Sequence, residues 1–257
     1  MPEWNAGQYL RFEKERSLAV WDLLARLEDD TPVKILDVGC GPGNSTAALH
    51  RKFPDAAVTG IDSSSDMLER ARRDYPELAF IQCDAGKDLD KMGTAYDLVF
   101  SNACIHWIPG QEALIRRMLS LLRPGGKLAV QLPLTQRAPF YRMLKELAAS
   151  APWRDYFSQA VESFHSLQPD EYFDILAQTG GNFSIWETTY FHQASGWGDV
   201  LEWYRGSGLR PYLQALPPAM RRNFEEEIAR RLPDYYEKRP SGRVILPMAR
   251  LFFTAEK

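Results

Sequence analysis

From residue 33 to residue 132 the chain alternates short apolar runs with stretches of helical periodicity, and few folds accommodate that order. Val33-Lys34-Ile35-Leu36-Asp37-Val38 reads as a strand, Ser45 to Arg51 as the start of a helix, and Ala57 to Ile61 as a second strand. A helix from about Ser65 to Tyr75 follows, then strands at Ala79 to Cys83 and Tyr96 to Phe100. Gln111 to Leu122 sets Leu114, Ile115, Met118, Leu119 and Leu122 on one helical face. Arg123-Pro124-Gly125-Gly126 stops that helix before a fifth strand, Lys127 to Leu132. Strands separated by helices predict a parallel sheet covered on both faces.

The second half reads differently. Pro139 to Ala149 and Asp170 to Gln178 have helical patterns, Phe183 to Tyr190 is rich in aromatic and β-branched residues, and Arg250 to Ala255 closes the chain as a strand. Between the last two strands lie about 60 mostly helical residues, including Asp199 to Ser207 and Ala219 to Leu232. If those strands pair at one sheet edge, the helical block is an insertion between neighbours.

Composition narrows the function classes. A net charge of −3 in 257 residues offers no general attraction for nucleic acid or an anionic membrane. No uncharged apolar run approaches the roughly 18 residues of a membrane helix, and the N-terminus lacks the apolar stretch of a secretory signal. A cytoplasmic location is the expectation. Cys40, Cys83 and Cys104 are too few and too scattered for a disulfide framework or a zinc site, and read as small apolar fillers. No metal is expected.

The most specific local feature is Leu36-Asp37-Val38-Gly39-Cys40-Gly41-Pro42-Gly43-Asn44-Ser45-Thr46, which ends the first strand and opens a helix. Glycines permit a tight turn and close approach of a ligand, and a helix start offers unpaired N–H groups. A phosphate-cradling loop requires a Lys before Ser or Thr, and none is present. A dinucleotide loop favours Gly or Ala where this chain has Asn44, and Asp37 is a poor neighbour for phosphate. Both residues suit a ligand that carries an ammonium group.

With these residues in place, Asp37 to Gly43 resembles the first motif of the class I S-adenosylmethionine-dependent methyltransferases. The resemblance implies a Rossmann-like α/β sheet, mostly parallel with an antiparallel last strand, and a helical lid inserted between the last two strands. It implies S-adenosylmethionine as cofactor. Gly39, Cys40, Gly41 and Asn44 would line the loop, and Asp62 with Ser63 would receive the ribose hydroxyls. Met67 would pack on adenine, Asp84 and Ala85 would meet its amino group, and Asn102, Ala103 and Trp107 would face the methionyl end. Asp62 alone also fits a helix N-cap, common for Asp-Ser-Ser before a helix.

Outside the cofactor motifs, Trp4-Asn5, Tyr9, Thr188 to Gln193, Gly208-Leu209-Arg210-Pro211 and Arg250-Leu251-Phe252 resemble a branch of the family that esterifies small polycarboxylates. The implied organisation is an N-terminal helical arm over 1–30, a cofactor-binding core over 31–195 and 246–257, and a substrate lid over 196–245. A carboxylate has a pKa near 4, so it is anionic at pH 7 and needs no general base. Catalysis would then be positioning and exclusion of water. The remaining carboxylates call for fixed cationic donors, and arginine's planar fork suits them. The chain holds 22 Arg against 9 Lys. Tyr9, Arg16, Tyr190, His192, Arg210 and Arg250 are the expected acceptor residues; His106 and Trp107 fit either a pocket wall or a core. Another small carboxylic acid or a carrier-bound malonyl group as acceptor, a nicotinamide-dependent oxidoreductase, a non-catalytic cofactor-binding protein and RNA methylation remain as alternatives.

Overall fold

The computed structural model describes residues 13–27, 30–157, 161 and 164–257, excepting the side chains of 13–16. Helix α1 (Glu13–Ala25) precedes β1 (Lys34–Val38), α2 (Asn44–Lys52), β2 (Ala57–Asp62), α3 (Ser65–Asp74), β3 (Ala79–Gln82), β4 (Tyr96–Asn102), α4 (Gln111–Ser120) and β5 (Leu122–Pro133). Then come α5 (Pro139–Ala149), α6 (Pro169–Ala177), β6 (Phe183–Ala194), α7 (Trp197–Arg205), α8 (Arg210–Ala215), α9 (Pro218–Tyr235) and β7 (Val244–Glu256). One seven-stranded sheet runs in the order β3-β2-β1-β4-β5-β7-β6. The first five strands are parallel, and β7 is antiparallel to both β5 and β6.

Local chemistry explains the boundaries. β1 buries four of its five residues, as a central parallel strand covered on both faces must. Ser64 caps α3 by accepting from the Met67 N–H, with Asp66 in the first turn and Arg72 and Arg73 in the last, where each charge opposes the helix dipole. Pro begins α5 and α6, and a reciprocal Gln168–Glu171 capping box also starts α6. Strand order reverses between β1 and β4, so the crevice outside their carboxyl ends is where a ligand belongs.

The last two strands exceed their predicted lengths. They pair without interruption from Phe183↔Ala255 to Ala194↔Val244. Pro247 hides the extension in the sequence, because a proline argues against a central strand. β5 pairs with β7 only from Arg250 onward, leaving the Pro247 flank outside the β5 ladder. Val244 and Ile245, expected in the helical insertion, thus belong to β7. The insertion itself has a core. Phe224, Ile228 and Leu232 of α9, spaced four apart, are fully buried beside Met143, Leu144 and Leu147 of α5. Full burial of each such side chain is worth roughly 1.5–3 kcal/mol.

Candidate functional site

The carboxyl ends of the strands open into a cavity of about 610 Å³, within the range that encloses a small ligand. Its two halves differ in chemistry. The first is built by the glycine loop and the ends of β2, β3 and β4. The loop is tied to β2 by the Gly39 and Cys40 N–H groups, which donate to the Ile61 carbonyl at 2.8 and 2.9 Å. Gly39 has φ of +76°, and a Cβ there would lie 2.0 Å from the Cys104 sulfur, so only glycine fits.

Of the predicted cofactor residues, Gly39, Cys40, Gly41, Asn44, Asp62, Ser63, Met67, Asp84, Ala85, Asn102, Ala103 and Trp107 all line this cavity. Asp62 accepts from the Gly41 N–H at 3.0 Å through Oδ2 and from the Ser64 N–H at 2.9 Å through Oδ1. It aims at the loop, and the N-cap of α3 is Ser64, not Asp62. Asp84 is held by the Gly86 N–H at 3.0 Å and by Lys87 at 3.2 Å. Asn102 Oδ1 is buried with no hydrogen-bond partner among the described residues. Burial holds the thiols of Cys40 and Cys104 protonated, well above the ordinary range, and none of the three cysteines is in a disulfide.

Asp37 departs from the expectation of a cavity-facing residue. It is fully buried and does not line the cavity. Its Oδ2 accepts from the Ser45 and Thr46 hydroxyls at 2.6 and 2.7 Å, bracing the first turn of α2 against β1. Oδ1 has no partner among the described residues. Burial, opposed only in part by those two hydroxyls, pushes its carboxyl from the ordinary 3.8 up to about 6. The folded protein therefore holds this proton more tightly than the unfolded chain. That contribution to stability is complete below about pH 4 and is lost as pH rises to about 6. Asp37→Asn keeps the acceptor and carries no charge. Chemical denaturation of ligand-free protein from pH 4 to 7 should show wild type losing stability relative to the variant across pH 4–6. A pH-independent difference would exclude Asp37 as the titrating group.

The second half of the cavity is aromatic with one strong cation. Phe164 lies 4.7 Å from Trp107 and 5.0 Å edge-on from Tyr141, which in turn meets Tyr204 edge-on at 5.3 Å. Tyr204 stacks on Phe140 at 3.8 Å, fixing the insertion against α5. Gly208 admits the Tyr141 hydroxyl, since a Cβ there would sit 2.0 Å from it. Arg250 is 9% exposed, and among the described residues it is the one arginine in the cavity wall. Helix α1 contributes Ser17 and Val20, and the insertion contributes Trp203, Tyr204, Ser207, Pro211 and Gln214.

Other expected acceptor residues lie elsewhere. Arg210 begins α8 and does not line the cavity, although Ser207 and Pro211 do, because successive helical residues point in different directions. Tyr190 is also outside the wall: its hydroxyl donates to Asp22 of α1 and its ring stacks on His192. His192 stacks on Trp203 at 5.1 Å and so backs a wall residue rather than reaching the cavity. Tyr9 and the side chain of Arg16 lie outside the described residues. Tyr141, Phe164, Trp203 and Tyr204 went unrecognised in the sequence, because an aromatic at helical spacing signals burial and not which buried face adjoins a cavity.

A sheet of this order, gathering its acidic groups from successive strand ends beside a glycine loop, defines a class I S-adenosylmethionine-dependent methyltransferase. The donor set fits that cofactor. Asp62 offers two oxygens suited to a vicinal diol, Met67 and Ile108 offer apolar surface, and the orphaned Asn102 Oδ1 seeks a donor such as an ammonium. Residues 35–126 match the family described as a methyltransferase domain. The chain is 38% identical to trans-aconitate 2-methyltransferase of Paracidovorax citrulli, covering 100% of this chain and 99% of that protein. It is 39% identical to that of Methylobacterium radiotolerans, with the same coverage. This chain therefore belongs to the trans-aconitate 2-methyltransferase family. Among solved structures it resembles the YcgJ protein from Bacillus subtilis, with a TM-score of 0.62 at 12% identity over 93% of this chain and 98% of that one. It also resembles phosphoethanolamine N-methyltransferase 2 of Haemonchus contortus in complex with S-adenosylmethionine, with a TM-score of 0.52 at 20% identity over 92% and 52%. At these identities both report the fold alone. No helix among the described residues is long and apolar enough to cross a membrane.

Proposed function

We propose that the protein transfers a methyl group from S-adenosylmethionine to a carboxylate of trans-aconitate, giving the monomethyl ester and S-adenosylhomocysteine. The observation that carries this reading is the relatedness over the full chain, insertion included, to trans-aconitate 2-methyltransferases. Supporting it, one half of the cavity offers Asp62 and Asp84 as acceptors suited to a ribose and an adenine, and the other bears Arg250 where an anion would lie.

S-adenosylmethionine, when bound, supplies an electrophilic methyl group on a positively charged sulfur. The residues of the chain do the rest by placement. Asp62 takes the ribose hydroxyls, Asp84 and Ala85 the adenine edge, Met67 its face, and Asn102 the amino-acid end. Arg250 holds one carboxylate of the acceptor, and Trp107 with the neighbouring aromatics excludes water from another. The reacting carboxylate is already ionised at pH 7, so its oxygen attacks without a base and no proton needs to move. Residues 196–243 serve as the lid, helix α1 lends Ser17 and Val20 to the wall beside it, and the substrate is a small molecule without nucleic acid or membrane involvement.

Incubation with methyl-labelled S-adenosylmethionine and trans-aconitate should yield one labelled monoester by mass detection. Absence of ester from trans-aconitate, with ester from another acid in a di- and tricarboxylate panel, would replace the substrate. Absence from every acid would overturn carboxyl methylation.

A further inference from the structure

Two buried polar atoms in the acceptor half have no use in the reaction as described. His106 Nδ1 and Thr135 Oγ1 belong to cavity-lining residues, are buried, and have no hydrogen-bond partner among the described residues. Buried groups left unsatisfied are costly and uncommon, so each calls for an explanation. The fold sets both near Arg250. Arg250 pairs in register with Pro133, the Leu134 N–H donates to the Ala249 carbonyl at 2.9 Å, and Thr135 follows directly. His106 lies in the turn after β4, the strand paired to β5 on its other side. Its carbonyl accepts from the His165 N–H at 2.8 Å, and its ring stacks on Phe164 at 5.7 Å with 19° between planes.

We propose that His106 is a specificity-determining residue: with Thr135 and Arg250 it forms a three-point cradle for a carboxylate of the acceptor other than the one methylated. This rests on the carboxyl-methylation reading above. Burial, reinforced by the Arg250 charge, lowers the His106 pKa from 6.5 to about 3, so the imidazole stays neutral at pH 7. It contributes one N–H donor and no second charge. The Thr135 hydroxyl contributes another, and the guanidinium a fork. A carboxylate accepts from all three, having two oxygens and about four lone-pair sites. A carboxamide in its place would turn an NH2 group toward donors. The ligand class selected is therefore an acid with at least two free carboxylates, one to react and one to be held.

The test measures kcat and KM for trans-aconitate and for its monoamide, at saturating S-adenosylmethionine, in wild type, His106→Leu, His106→Gln and Thr135→Val. Binding of trans-aconitate to protein loaded with S-adenosylhomocysteine, by calorimetry, is the second readout. His106→Leu should raise the KM and the dissociation constant for trans-aconitate by about ten- to a hundredfold, with kcat within about threefold. His106→Gln, which keeps an N–H donor, should recover most of that loss, and Thr135→Val should show a smaller rise. Discrimination against the monoamide should shrink in His106→Leu, and cofactor affinity should hold in all three. Unchanged KM in His106→Leu, equal losses in the Leu and Gln variants, or a parallel loss of cofactor affinity would each overturn the cradle. If wild type binds trans-aconitate without methylating it, the reaction assignment fails and calorimetry of His106→Leu still decides the cradle. If wild type does not bind it, both fail.

Discussion

Arg250→Ala is expected to lower kcat/KM for trans-aconitate by roughly 30- to 1000-fold, the 2–4 kcal/mol scale of removing one partner of a buried charge pair. The loss should appear mainly in KM, and the affinity for S-adenosylmethionine should stay within about twofold. Arg250 warrants this because it is the one arginine among the described residues in the cavity wall and is almost wholly buried. Its charge is felt by groups on three other elements: His106 after β4, Tyr190 on β6 and Tyr204 on α7. Arg250→Lys, which keeps the charge but not the planar fork, should recover only part of the loss. Steady-state kinetics with a parallel cofactor titration checks the result. Equal losses in acceptor and cofactor affinity would make Arg250 a structural residue. Arg210→Ala, outside the wall, should by contrast change KM little.

Asp62→Ala is expected to weaken S-adenosylhomocysteine binding by about 10- to 150-fold, or roughly 1.5–3 kcal/mol for hydrogen bonds to a charged group. Asp62 has two tasks, and the experiment must separate them. Its oxygens already accept from Gly41 and Ser64, so the variant also loosens the loop. A 2′-deoxy analogue of the ligand resolves this. If Asp62 holds the ribose, removing the hydroxyl costs wild type much and the variant little, a coupling that a calorimetric cycle measures. Additive losses would mean that Asp62 acts on the loop alone.

The cofactor half was legible because its determinants are local. Gly39 to Gly43 form a turn between a strand and a helix, and Asp62, Asp84 and Asn102 each follow a short apolar run. In a parallel sheet, consecutive strand ends meet on one side whatever the details of packing, so the order along the chain became proximity in space. The same logic misjudged Asp37, which also ends a strand. Two residues before the first glycine, its side chain turns beneath the loop and meets Ser45 and Thr46, and nothing in its neighbours' identities distinguishes facing the ligand from bracing the turn.

For the acceptor half, the family resemblance marked Tyr190, His192, Arg210 and Arg250 as one set, whereas packing split them. β7 runs between β5 and β6, so Arg250 meets the crevice, while Tyr190 and His192 on the edge strand β6 are used up by Asp22 and Trp203. Tyr141 and Tyr204 come together from opposite sides of 62 intervening residues, and no local pattern records that contact. Strand alternation, turn chemistry and charge thus set the sheet and the cofactor groove from the sequence alone, since those forces act within a few residues. Which guanidinium, imidazole and aromatic rings face the acceptor was decided only by the tertiary structure, where an inserted block of helices packs on its own core and closes over strand ends remote from it in the chain.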